Sequence, residues 1–288
     1  MSTEITLGDL VANGSNVVVA NEDTTIDCLL KSLQNDEKTV IGVVDKHDDF
    51  IGLINTFDIM TYVAYSGCPD DKLDENRVKS VFSTPIGNLT GVFHKETNRI
   101  WGYDQNAPLS KILEPMCKGV HRAIVIMNDG TLKLISQTDL LKYAFDNIDK
   151  FPVAKKQLGE IELHSKPVIS LPNDRPVLHG FKRMEMEQVL ALPIVDARGS
   201  LVAVLSSSDI KRVNTSNMGN ILLPVCEFLR ENGQLREPEI VKKTDTLESV
   251  ISMLLNAHIH HTWIVDESNT PVLTISYSDI IKLLWSVV

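Results

Sequence analysis

Residues 272–284 read VLTISYSDIIKLL: apolar positions alternate up to Ile275, a short polar turn follows, and after Asp279 the apolar residues fall at helical spacing. An aspartate therefore stands where a strand gives way to a helix. The same junction occurs in FIGLINTFDIMTYV (50–63) with Asp58, in LKLISQTDLLKY (132–143) with Asp139 and in LVAVLSSSDIKRV (201–213) with Asp209. From Asp139 to Asp209 to Asp279 the spacing is identical, and from Asp58 to Asp139 it is somewhat longer, which marks a fourfold internal repeat.

The fourth repeat gives the clearest pattern. A short strand at 239–242 precedes Asp245-Thr246-Leu247-Glu248, read as an N-cap with its third-position acid, and Leu247, Val250, Ile251, Leu254 and Leu255 form one apolar helical face. Strands at 262–265 and 272–275, joined by a turn at 267–271, read as a hairpin ahead of the closing helix. The order is β-α-β-β-α. The interval from the start of the first helix to the repeat aspartate is the same for Thr25 to Asp58, Pro176 to Asp209 and Thr246 to Asp279, and slightly shorter for Pro108 to Asp139. In repeats one, three and four a further aspartate, Asp45, Asp196 or Asp266, ends the middle strand at a constant distance before the repeat aspartate. A unit this small buries too little surface to stand alone, so the repeats are expected to pack as two pairs. Residues 5–150 form the first (repeats about 5–66 and 80–146, with an irregular insertion at 67–79), 151–165 a linker and 166–288 the second (repeats about 166–214 and 221–288).

Bulk properties narrow the function. With 288 residues and 43% hydrophobic content the chain can bury substantial cores, and no apolar run reaches the roughly 18 residues of a membrane span. The N-terminal residues lack the pattern of a signal peptide, so a cytoplasmic or nuclear location is expected, without membrane association. Cys28, Cys68, Cys117 and Cys226 are far apart and read as buried thiols. A formal charge of −10 disfavours nucleic acid but leaves room for a local basic pocket. Nucleophile-elbow, metalloprotease and nucleotide-phosphate-loop motifs are all absent from the sequence, so no catalysis is expected.

Three repeats carry Ser-x-x-Asp at the junction: Ser136 with Asp139, Ser206 with Asp209, and Ser276 with Asp279; the first has Asn55 before Asp58. The residues alone permit two compatible readings. The pair caps a helix, or the carboxylate accepts hydrogen bonds from vicinal hydroxyls of a ligand in the cleft beside the strand end. Basic doublets, His121-Arg122 and His260-His261, precede the middle strands of repeats two and four, where repeats one and three have Thr39-Val40 and Leu190-Ala191. They suit phosphate, or alternatively are strand-edge groups bonded to backbone. An imidazole at His261 would titrate near roughly pH 6.5, so any phosphate contact it made would strengthen as the pH falls. His258-x-His260-His261 lacks the further ligands of a zinc site, and no metal is expected. Lys211 and Arg212, following Asp209 on a helix, read as a solvated face, or one of them as a phosphate contact at a neighbouring site.

The segments GVHRAIVI (119–126), LALPIVD (190–196) and IHHTWIVD (259–266), with the endings SQTDLL, SSSDIK and SYSDII, resemble cystathionine β-synthase (CBS) domains. The four-repeat layout resembles the gamma regulatory subunit of AMP-activated protein kinase and its plant gamma-like relatives. The resemblance implies an α/β fold of two tandem CBS pairs in a pseudosymmetric disc, with AMP, ADP or ATP as ligands and protein kinase catalytic and scaffold subunits as partners. It implies ribose contacts at Asp139, Asp209, Asp279 and Asp58 with Ser136, Ser206 and Ser276. Phosphate contacts are implied at His121, Arg122, His260 and His261, and an adenine pocket along Leu192, Pro193 and Ile194. His261 departs from the pattern, which has arginine there. The rival reading is a CBS scaffold with empty clefts or another adenosyl ligand.

Overall fold

The computed structural model describes residues 5–11, 16–34, 39–68, 72–93, 101–163 and 167–286. A short helix, α1 (Leu7–Val11), precedes repeat one, which comprises β1 (Val19–Asn21), α2 (Ile26–Leu33), β2 (Val40–Val44), β3 (Phe50–Asn55) and α3 (Thr56–Tyr62). A π-helical turn, Val63–Gly67, and helix α4 (Glu75–Phe82) follow. Repeat two contains β4 (Gly102–Asp104), α5 (Ser110–Cys117), β5 (Arg122–Ile126), β6 (Leu132–Ser136) and α6 (Gln137–Asp146). Repeat three contains β7 (Leu171–Pro172), α7 (Val177–Glu187), β8 (Ala191–Val195) and β9 (Leu201–Ser206), and closes with a 3-10 helix, Ser207–Arg212. After α8 (Val225–Glu231), repeat four has β10 (Ile240–Val241), α9 (Leu247–Asn256), β11 (His261–Val265), β12 (Pro271–Ser276) and α10 (Tyr277–Trp285).

Each repeat forms one three-stranded sheet in chain order, its first strand parallel and its last antiparallel to the middle one. Register is the same throughout: Val40 faces Asn55, Arg122 faces Ser136, Ala191 faces Ser206 and His261 faces Ser276. The hairpins explain the recurrent second aspartate. Asp45 Oδ1 accepts from the N–H groups of His47 and Asp49, Asp196 Oδ1 from Arg198 and Ser200, and Asp266 Oδ1 from Ser268 and Thr270, at 2.8 to 3.0 Å. A bulge lies just before each of these turns, and repeat two has neither the aspartate nor the bulge. The missing bulge accounts for part of the shortening of repeat two, since the stretch from Arg122 to Ser136 is one position shorter than that from Ala191 to Ser206.

Some local expectations change. In repeat four the N-cap is Thr246, whose hydroxyl accepts from Ser249 N, while the Asp245 carboxylate accepts from Lys242 N at 2.6 Å and closes the preceding turn. The segment 67–79, read as irregular, leads into helix α4, capped by Asp74; residues 69–71 lie outside the described residues. The closing element of repeat three is 3-10 because no apolar stripe continues past Val213, and Asn214 and Asn217 side chains turn the chain instead. Of the four cysteines only Cys68 is buried; Cys28 is exposed.

Packing gathers alternate repeats. One compact unit holds the described residues of 18–99 and 169–238, thus repeats one and three; the other holds those of 1–17, 100–168 and 239–288, thus repeats two and four. The first is cored by Leu30, Ile54, Met60, Phe181, Leu192 and Phe228, the second by Leu113, Val125, Leu141, Ile251, Ile264 and Ile281. Each such side chain contributes about 1.5 to 3 kcal/mol by leaving water. Compact packing thus joins alternate repeats, while successive repeats, one with two and three with four, exchange short straps. Ile5–Gly8 bonds to the turn before α5, Thr84–Gly87 to the turn before α2, Lys156–Gly159 to the turn before α9, and Leu223–Val225 to the turn before α7. Each strap thus precedes one repeat in sequence and closes the next or previous one, within the same half. The expected linker is part of this device.

The turn aspartates are read as structural. Asp266→Ala removes two hydrogen bonds from an exposed turn, so urea denaturation is expected to show a loss of about 1 to 2 kcal/mol, with Asp266→Asn close to wild type.

Candidate functional site

Every closing helix begins with the same construction. The cap residue's N–H donates to the carboxylate three residues on, from Asn55 to Asp58 Oδ2 at 3.0 Å, Ser136 to Asp139 at 2.7 Å, Ser206 to Asp209 at 2.7 Å and Ser276 to Asp279 at 2.9 Å. The next N–H then reaches back across the hairpin to the residue before the middle strand: Thr56 to Thr39 O, Gln137 to His121 O, Ser207 to Leu190 O and Tyr277 to His260 O, at 2.9 to 3.2 Å. Each basic doublet is thereby fixed beside a cap. Capping is real at all four positions, and one carboxylate oxygen performs it. In Asp139, Asp209 and Asp279 the other oxygen makes no hydrogen bond among the described residues.

In the unit of repeats two and four, α6 and α10 pack against each other. Gln137 Nε2 donates to Ser278 Oγ at 2.8 Å, so the two helix starts meet. Asp139 is half-buried and Asp279 exposed. His260 stacks edge-on against Tyr277, with ring centroids 4.9 Å apart. Burial first, then the nearby His260 and His121, push the His261 imidazole down to about 3. His261 as a residue is partly exposed, but its ring is enclosed tightly enough to stay neutral. The His261 ring thus titrates well below the ordinary histidine range expected for it and is neutral at physiological pH, so the positive charge of the two doublets comes from Arg122. The histidines of both doublets nevertheless converge, and Arg122 begins β5 beside His121.

In the unit of repeats one and three both cap aspartates are buried: Asp58 is 0% and Asp209 9% exposed. Burial raises the Asp209 carboxyl from 3.8 to about 6, opposed by the hydrogen bond from Ser206 N and by the positive charges of Arg236, Arg212 and Lys211. Lys211 is itself buried rather than on a solvated face. Ser206 also differs from its counterparts. Ser136 and Ser276 donate their hydroxyls to the aspartate, whereas Ser206 Oγ is paired with Ser208 Oγ at 3.0 Å.

Strand alternation separates the three residues expected at an adenine pocket. Leu192 and Ile194 belong to the core, whereas Pro193 shares the opposite face of β8 with Ala191 and lies across from Val204. The strand is central rather than at an edge, although β7 reaches only Ile194 and Val195. The positions matching Pro193 are Gly42, Ile124 and Trp263. Trp263 is 2% exposed and its buried indole N–H has no partner among the described residues. Sequence reasoning missed Arg236, which belongs to no recurring motif, and Gln137 and Ser278, which occupy the unspecified positions between the cap serine and the aspartate. Among the described residues no three His, Cys, Asp or Glu side chains are disposed to hold a metal, and no helix is long and apolar enough to cross a membrane.

A β-α-β-β-α repeat with a capped aspartate beside each hairpin is the architecture of a CBS domain. The CBS domain family model matches residues 7–65, 158–215 and 234–286, more than half of the sequence, and the chain belongs to that family. Repeat two lies outside these matches but has the same element order and register. The chain is 22% identical to the SNF1-related protein kinase regulatory subunit gamma-like PV42b of Arabidopsis thaliana, over 98% of this chain and 89% of that one. It is 29% identical to Protein SDS23 of Scheffersomyces stipitis over 68% of its length, and the match spans only 39% of that longer relative. Protein MJ1225 of Methanocaldococcus jannaschii, described as a proposed archaeal homologue of g-AMPK, has the same fold, with a TM-score of 0.77 and 19% identity over 96% of this chain and 99% of its own.

The Asp209 environment has a measurable consequence. Its folded value of about 6 lies above the ordinary 3.8, so the native state holds a proton that the unfolded chain releases between those values. Its contribution to stability is therefore lost as the pH rises through that window, at a cost of the order of 3 kcal/mol once the pH is above the folded value. Asp209→Asn keeps an acceptor for Ser206 N, so urea unfolding at pH values below, within and above that window is expected to show little change at the lowest and a gain at the highest. Equal destabilisation at every pH would contradict this account.

Proposed function

We propose that the chain binds AMP, ADP or ATP and acts as a regulatory subunit, with protein kinase catalytic and scaffold subunits as its partners, in the cytoplasm or nucleus. The observation that carries this reading is the convergence in one unit of two cap aspartates with the doublets His121-Arg122 and His260-His261. The open oxygens of Asp139 and Asp279 are acceptors for ribose hydroxyls, with Ser136 and Ser276 holding the carboxylates in place. Asp58, Asp209 and Ser206 form the corresponding junction in the other unit. Phosphate is assigned to Arg122, assisted by His121 and His260, with His261 as a neutral partner; Lys211 serves the other unit. Pro193, rather than the core residues Leu192 and Ile194, faces the base. The kinase partnership draws on the likeness to PV42b along nearly the whole chain. A nucleotide regulates such a partner only through unequal affinity for two states of the complex.

A second reading, a CBS scaffold with an empty cleft or another adenosyl ligand, is favoured by two features of repeat four. His261 carries no charge, and Trp263 occupies the position that is proline in repeat three.

Calorimetric titration separates the readings. Hydrogen bonds to charged groups are worth about 1.5 to 3 kcal/mol, so Arg122→Ala is expected to weaken AMP about tenfold or more and leave adenosine nearly unchanged. Asp279→Ala is expected to weaken both. Equal losses of AMP and adenosine in Arg122→Ala would assign the arginine to the base or the fold, and binding of S-adenosylmethionine in preference to all three nucleotides would favour the second reading.

A further inference from the structure

Repeat three breaks off its closing helix where the other repeats continue theirs. Six positions after the cap aspartate the others have Ala64, Phe145 and Trp285, all packed against their cores. Repeat three has Thr215, which is exposed together with Ser216. The turn that carries them is held by its own side chains. Asn214 N donates to Asn217 Oδ1 at 2.7 Å, Ser216 N to Asn214 Oδ1 at 2.8 Å, and Asn217 Nδ2 to Arg212 O at 2.8 Å. Thr215 is thereby left to bond outside the turn. Its hydroxyl and its N–H both donate to Asp27 Oδ1, at 3.0 and 3.3 Å. Asp27 lies on α2 of repeat one and is also paired with Lys31. An exposed threonine thus ties repeat three to repeat one within their unit, by bonds weak enough to open readily. An apolar residue at this place would serve the fold as it does in the other repeats, and departures from a repeated pattern collect where function intervenes.

Arg212 ends the 3-10 helix three residues before Thr215, and Val213 between them is extended, with φ −100° and ψ 137°. The arginine is half-buried and makes no ion pair among the described residues. Three residues span roughly 10 Å when extended, so a guanidinium at this spacing can enter an acidic pocket of a kinase while the hydroxyl reaches its active site. We propose that Thr215 is a phosphorylation site for an arginine-directed serine/threonine protein kinase, and that its modification unties repeat three from repeat one. The Thr215 Oγ attacks the γ-phosphorus of ATP, the bond from that phosphorus to the bridging oxygen breaks, and ADP leaves. The hydroxyl proton passes to the catalytic carboxylate of the kinase. The product has lost the proton it donated to Asp27 and carries close to two negative charges, so the carboxylate that held the threonine now repels it. Arg212, on the same segment, is the cation that a phosphate there can take up. Nothing in this step depends on whether the clefts hold a nucleotide.

The test incubates the full chain with ATP and the catalytic subunit of an arginine-directed kinase, and maps incorporation by mass spectrometry. One phosphate is expected on wild type at Thr215, absent from Thr215→Ala, retained in Ser216→Ala and slowed at least about tenfold in Arg212→Gln. No incorporation into the wild-type chain, or incorporation that persists in Thr215→Ala, would overturn the site, and an unchanged rate in Arg212→Gln would overturn its recognition through arginine. Melting temperatures of the modified and unmodified proteins test the consequence. Phosphorylation is expected to lower that of wild type by about 2 to 4 °C and to leave that of Asp27→Asn nearly unchanged. An equal fall in both would overturn the untying.

Discussion

One backbone hydrogen bond, repeated four times, organises the molecule. The N–H of the first residue of each closing helix or 3-10 turn donates to the carbonyl of the residue before the middle strand, as Gln137 does to His121 and Tyr277 to His260. That bond fixes the distance between the start of the hairpin and the start of the helix. Two consequences follow. The cap serine and the second residue of the doublet become direct cross-strand neighbours, Arg122 opposite Ser136 and His261 opposite Ser276. The cap aspartate, tied to its serine, then stands at a fixed place beside them.

The same construction gives different chemistry in the two units because burial differs. Where Asp279 is exposed and Asp139 half-buried, one oxygen of each carboxylate is left open and the doublets bring one permanent cation, Arg122. Where Asp209 is enclosed, burial works against the charged form and the positive charges of Arg236, Arg212 and Lys211 work for it. His261 shows the converse, an imidazole held neutral by enclosure and by its histidine neighbours. Charge in these clefts is set by enclosure and by the charges around each group.

Much of this was legible from sequence, and for a clear reason. The strand–turn–helix junctions have a local cause, since alternation, a cap serine and an aspartate three residues on are read from neighbours in the chain. Aligning the repeats on their middle strands put Arg122 and His261 at equivalent places, and the structure holds them there. The second aspartates, noticed only as a spacing, are Asx turns that set the hairpins. What escaped was non-local. Asp245 looked like the N-cap because an acid follows three residues later, but strap residue Lys156 accepts the Leu247 N–H and fixes the start one residue on, at Thr246. The straps carry no motif, the grouping of alternate repeats depends on which helices meet, and Arg236 lies beyond α8, far along the chain from the aspartate whose charge it supports. The neutrality of His261 likewise comes from packing that a linear pattern does not encode.

The central claim is that the open carboxylate oxygen and the cation fixed beside it bind two ends of one ligand. A crystal structure of the full chain grown with saturating AMP tests this most directly. The account predicts ribose hydroxyls within hydrogen-bond distance of Asp139 or Asp279 Oδ1 and the phosphate on Arg122, with the Ser136 and Ser276 caps unchanged. AMP bound away from these junctions, or contacting them through neither aspartate nor Arg122, would contradict it.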